Sequence, residues 1–118
     1  MEQQFAEWAD VNNFFYLNFK MFVKIHKSYR EVVAICDSEL LGKYFEQNNF
    51  QLDVKKNFFK GEKVSEQELL NLIEKFKKED ATFNIIGQKS INCALKAGII
   101  NKDNIKTIQD IPFGLVLL

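Results

Sequence analysis

Few residues in this chain can do chemistry unaided. The one histidine, His26, stands in "FVKIHKS", and the two cysteines, Cys36 and Cys93, lie far apart in apolar surroundings. A nucleophilic thiol needs a nearby base or positive charge to hold it as thiolate. The segment "VVAIC" around Cys36 supplies neither. His26 falls on the outward side of an alternating strand, where a solvated ring is the simple expectation. There is no CxxC pair and no His/Cys cluster, so no metal, cofactor or catalytic residue is expected and both thiols read as reduced core residues.

The stretch "FNIIGQKSINCALKAGII", Phe83 to Ile100, has the order strand, glycine, helix. That order can seat an anion on a helix N-terminus. If a small anion or nucleotide binds, Asn84, Gly87, Lys89 and Ser90 are the candidate residues. A phosphate cradle usually has several glycines, or a Lys-Ser/Thr pair after a long loop. With Gly87 alone, a tight corner is the simpler expectation. Asp37 and Glu39, beside "LLGK", are placed to cap that turn.

The basic residues offer more. Lys24, Lys27 and Arg30 lie along the first strand and its turn, and Lys43, Lys55, Lys56, Lys60 and Lys63 follow. Tyr29, Tyr44, Phe58 and Phe59 interleave them. Phosphate contacts combined with stacking suit single-stranded RNA. The candidate nucleic-acid contacts are Lys24, Lys27, Arg30, Lys55, Lys56, Lys60 and Phe59. This reading requires Lys55, Lys56 and Lys60 to share one surface with Lys24 or Lys27. Glu46, Asp53 and Glu62 dilute the patch, and an ordinary solvated lysine face competes with it.

The elements that must position these residues fit one domain of 118 residues. The formal net charge is zero, but residues 1–19 carry three acids and no base. Without them the chain is mildly basic, which permits a nucleic-acid partner without requiring one. The N-terminus lacks a basic region followed by an apolar run, and the apolar runs are too short to span a bilayer. A cytoplasmic protein without membrane contact is expected.

Residues 1–20, "MEQQFAEWADVNNFFYLNFK", read either as a helix on the domain or as an N-terminal extension preceding a domain of residues 21–118. "FVKIHKS" and "EVVAICD" form a β-hairpin, the second strand central because it is apolar on both faces. "DSELLGKYFEQNN" reads as a helical turn or compact loop. "FQLDVKK" alternates as a strand with Phe50, Leu52 and Val54 inward. "NFFKGEKV" reads as a turn around Gly61. "SEQELLNLIEKFKKED" is the clearest helix, with Ser65 and Glu68 as a capping box and Leu69, Leu72, Ile73 and Phe76 as its buried stripe. Glu74 and Lys78 are spaced for an i,i+4 ion pair. "ATFNIIG" is a buried strand and "QKSINCALKA" a helix ended by Gly98. "NIKTIQ" reads as an edge strand, and "GLVLL" closes the sheet. The fold class is α/β (α+β), a single two-layer domain with a mixed sheet of five to six strands and two main helices.

The blocks "YREVVAICDSELLGKYF", "QLDVKKNFFKGEKVSEQEL", "FNIIGQKSINCALKAGII" and "IPFGLVLL" run collinearly through residues 21–118. In them the chain resembles an archaeal family known as domain-of-unknown-function family 424. The resemblance implies a compact α/β domain, an archaeal setting and no established activity. That family often has a His where this chain has Phe113, so no role resting on that His carries over. The functional expectation is a non-catalytic binding module for RNA or a ribonucleoprotein. The alternatives are a small-anion or nucleotide site at Gly87, with or without enzymatic activity, and a protein partner met by the aromatic residues 1–20.

Overall fold

The computed structural model describes residues 19–118. The expected helix in the N-terminal segment, and its aromatic residues up to residue 18, lie outside the described residues. The expected hairpin pairs β1 (Phe19–His26) with β2 (Val32–Asp37), antiparallel, from Met21 opposite Asp37 to His26 opposite Val32. A 3₁₀ turn over Ser38–Leu40 leads to a second, smaller hairpin of β3 (Tyr44–Gln47) and β4 (Phe50–Asp53). There follow a one-turn helix α1 (Lys56–Phe59), strand β5 (Glu62–Ser65) and helix α2 (Glu66–Lys78). The chain ends with β6 (Thr82–Ile86), helix α3 (Gln88–Lys96), β7 (Lys106–Ile108) and β8 (Ile111–Leu117).

Six strands form one mixed sheet in the order β5-β1-β2-β6-β8-β7. Its parallel pairing joins β2 to β6, with Cys36 beside Ile86. These two strands are central, as their apolar runs imply. Helices α2 and α3 cover one face. Val23, Val33, Ile35, Phe83 and Ile85 from the strands meet Leu69, Ile73, Phe76, Ile91 and Ala94 from the helices. Burying each of the larger side chains stabilises the fold by about 1.5–3 kcal/mol.

The caps follow the sequence. The Ser65 hydroxyl accepts from the Glu68 N–H at 3.3 Å, and the Ser65 N–H donates to the Glu68 carboxylate at 3.4 Å. Gly98 takes φ +74° just past α3, the left-handed conformation that ends a helix. Leu72 and Leu95 are half-buried, while the other expected stripe residues are buried.

The opposite face of the sheet carries a smaller second cover. Phe59 from α1, Leu52 and Val54 from the β3–β4 segment, and Leu40 from the 3₁₀ turn pack on Ala34, Cys36 and Ile86. This cover departs from the sequence reading in three places. Tyr44–Gln47 is a strand, not part of a compact loop, because it pairs with β4 across the Asn48-Asn49 turn. Both asparagines adopt positive φ there, which Asn tolerates better than most residues. Phe50 is 69% exposed rather than inward: β4 is only half covered, and the residue at its turn end overhangs the sheet. Glu62–Ser65 forms edge strand β5 on β1, and the preceding residues coil into α1. The Glu74–Lys78 pair is not formed; the described residues form the ion pairs Lys89–Glu39 and Lys96–Glu66 instead.

Candidate functional site

In open α/β sheets, crevices for ligands form at the carboxyl ends of parallel strands. Here that place lies between β2 and β6. Their register sets Asp37 next to Gly87, directly at the start of α3. The Asp37 carboxylate accepts from the Lys89 N–H at 3.0 Å, the Ser90 N–H at 2.8 Å and the Ser90 hydroxyl at 2.7 Å. It is 2% exposed. Helix N-termini have unsatisfied N–H groups and a positive dipole end, and Asp37 answers both. Gly87 makes the approach feasible. A Cβ there would lie 2.3 Å from the carboxyl carbon of Asp37, and its φ of +110° suits glycine.

The anion slot read from Asn84, Gly87, Lys89 and Ser90 is therefore filled by the chain's own carboxylate. An incoming phosphate would have to displace Asp37 and face its charge. Lys89 pairs with Glu39 at 2.7 Å, Ser90 is fully buried, and Asn84 points to the other side of the sheet. Asp37 caps α3 rather than its own 3₁₀ turn, where its side chain makes no cap bond. Burial, despite opposing ionisation, is outweighed at Glu39 by the Lys89 hydrogen bond and charge, and its pKa lies below the ordinary carboxylate range.

Both cysteines are free, buried thiols. Burial, followed by the charges of Asp37 and Glu39, pushes Cys36 up to about 12. Burial and the Glu66 charge push Cys93 up to about 11. His26 is not a solvated side chain. Its Nε2 lies 2.8 Å from the Phe58 carbonyl oxygen, and its ring stacks on Phe58 with centroids 4.4 Å apart. As the ring nitrogen facing a carbonyl, Nε2 is the protonated one.

One of the basic residues ties two elements together. The Lys24 ammonium donates to the Asn57 carbonyl at 2.6 Å, which ties β1 to α1. With His26 on the next carbonyl, α1 is tied to β1 at Asn57 and Phe58, while the Lys56 side chain lies against Gly42. Lys55, Lys56 and Lys60 are exposed. Lys27 is exposed in the β1–β2 turn, and Tyr29 beside it is fully exposed. Arg30 turns away, donating to the Leu118 carbonyl at 2.6 Å. Phe59 is 4% exposed and packs in the second core, so it cannot stack on a base. Tyr29 is the better placed aromatic; its position in a polar turn, "SYRE", is the sequence signal that distinguishes it from Phe59.

Two open grooves of about 560 Å³ and about 410 Å³ flank Leu52 on this side of the sheet. Both are floored by Asn84 and Ile86. Among the described residues no group of three or more His, Cys, Asp or Glu is placed to hold a metal ion. No helix among them is long and apolar enough to cross a membrane.

These features define a class: a single α+β domain with a mixed six-stranded sheet, its strand-end crevice closed from within and a lysine-bearing segment laid against its first strand. The chain belongs to the family described as "Protein of unknown function (DUF424)", which matches residues 26–117. A crystal structure described as that of an uncharacterized conserved protein from Methanopyrus kandleri is similar, with a TM-score of 0.71 and 20% identity. The likeness covers 83% of this chain and 92% of that chain, and shows the shared fold. No curated protein matches.

Proposed function

We propose that this protein is a non-catalytic binding module for single-stranded RNA, free or within a ribonucleoprotein. The observation that supports this reading is the Lys24–Asn57 hydrogen bond. It ties the lysine-rich segment to β1 at Asn57, and on this reading Lys24, Lys27, Lys55, Lys56 and Lys60 contact phosphates while Tyr29 stacks on a base. The binding unit includes residues 21–118, and its first strand begins at Phe19.

Fluorescence anisotropy with a labelled, unstructured RNA strand at two salt concentrations tests this. Affinity is expected to fall steeply with added salt, because each lysine–phosphate contact releases a counterion. No binding at low salt, or binding indifferent to salt, overturns the reading.

A further inference from the structure

A separate groove of about 450 Å³ opens beside α3. Lys89, Asn92, Cys93 and Lys96 line it, and their i, i+3, i+4, i+7 spacing puts them on one side of the helix. Over two turns that side is about 10 Å long. Lys20 and Met21 at the start of β1, and Glu66 at the start of α2, complete the lining with Leu95. Met21 and Cys93 belong to the buried main core and Leu95 is half-buried, so the floor is apolar. The rim is basic, with three lysines against the one Glu66 carboxylate. Lys96 pairs with Glu66 and Lys89 with Glu39, and Lys20 makes no ion pair among the described residues.

We propose that this groove is the docking site of the chain's own residues 5–18, with Phe14 and Phe15 over its apolar floor and Glu7 and Asp10 at its lysines. Position favours that occupant. Lys20 and Met21 belong both to the groove and to the strand that residue 18 leads into. Phe14 and Phe15 lie at most about 18 Å of extended chain from Phe19, so both reach the length of the groove. Charge favours it too. Residues 1–18 carry Glu2, Glu7 and Asp10 and no base, the sign that a lysine rim attracts. The same segment holds Phe5, Trp8, Phe14, Phe15 and Tyr16, rings with a large apolar area to bury. Met21, Cys93 and Leu95 offer the matching surface. A tethered segment acts at an effective concentration near the millimolar range, so modest contacts hold it in place.

Zero-length carbodiimide coupling of the full-length protein, read by mass spectrometry, tests this, because the reagent joins a carboxylate only to an ammonium in contact with it. The pairs Lys89–Glu39 and Lys96–Glu66 serve as internal controls. Links from Glu7 or Asp10 to Lys20, Lys89 or Lys96 are expected within one chain. Mixing isotopically heavy and light protein separates these from links between copies. Phe14→Ser combined with Phe15→Ser should abolish the new links and spare both controls, whose survival shows that the fold is intact. The links of the parent protein decide the matter even if the double variant melts early. Controls that form while Glu7 and Asp10 stay unlinked, or link only to other lysines, overturn the proposal. So do links found only between heavy and light copies, which give the groove to a second molecule. Links that survive the double substitution in a folded variant remove the aromatic anchor and overturn it as well.

Discussion

Asp37 and Ser90, fifty-three residues apart, are joined twice: one carboxylate oxygen accepts from the Ser90 N–H at 2.8 Å and from its hydroxyl at 2.7 Å. The second oxygen takes the Lys89 N–H at 3.0 Å. A helix start is thus capped by a residue on the neighbouring parallel strand, so the cap also locks α3 to the sheet. Asp37→Ala leaves two buried N–H groups and a hydroxyl unsatisfied. It should cost about 2–4 kcal/mol, read as a lowered urea midpoint with little change in slope. A loss under about 0.5 kcal/mol would show that water replaces the carboxylate freely.

Gly87→Ala attacks the same junction from the other side. The added methyl would overlap the Asp37 carboxyl, and φ at +110° disfavours any side chain. The variant should lose at least about 2 kcal/mol, more than Gly98→Ala, where the same added atom meets nothing within 4 Å. Chemical denaturation of both, side by side, compares them.

Cys36 makes stability sensitive to alkali. The folded thiol stays protonated until about 12, against about 9.0 for an ordinary thiol. Its contribution is complete below about pH 9 and is lost as pH climbs toward 12, because only the unfolded chain ionises in that window. The decline from this group should approach about 1.4 kcal/mol per pH unit, and Cys36→Ala should flatten that part of the profile. In the native protein at about pH 8 both thiols should react slowly with a thiol reagent, and fully once denatured.

Tyr29 and Phe59 separate binding from folding. Phe59→Ala empties a core position and should cost about 3–5 kcal/mol. Tyr29→Ala removes a fully exposed ring, so the melting temperature should hold while RNA affinity falls by about 1–3 kcal/mol. A Tyr29→Ala variant that binds as well as the parent protein removes stacking from the proposed surface.

Reversing Lys55, Lys56 and Lys60 together should weaken every RNA strand alike. The salt slope should shrink by about one for each lysine that no longer meets a phosphate. An unchanged slope would mean that the lysines of α1 are ordinary solvated residues.

Local sequence was sufficient wherever a local pattern sets the structure. The capping box of Ser65 and Glu68, the stripe through Leu69, Ile73 and Phe76, the doubly apolar β2 and the terminating Gly98 were all legible, because the residues that decide them lie within a few positions of one another. The separation of Lys24 from α1 is thirty-three residues, and that of Asp37 from α3 is more than fifty. Neither interaction leaves a periodic trace, so only the folded chain could show that Lys24 ties β1 to α1 and that the anion slot is filled. The same holds for β3 and β5. Each is short, and its strand character comes from hydrogen bonds to a neighbour, which no window of its own residues contains. Sequence alone set the apolar faces and the helix ends; the register of β2 on β6 decided which polar groups remain open to a partner, because pairing in space brings distant side chains within hydrogen-bonding distance.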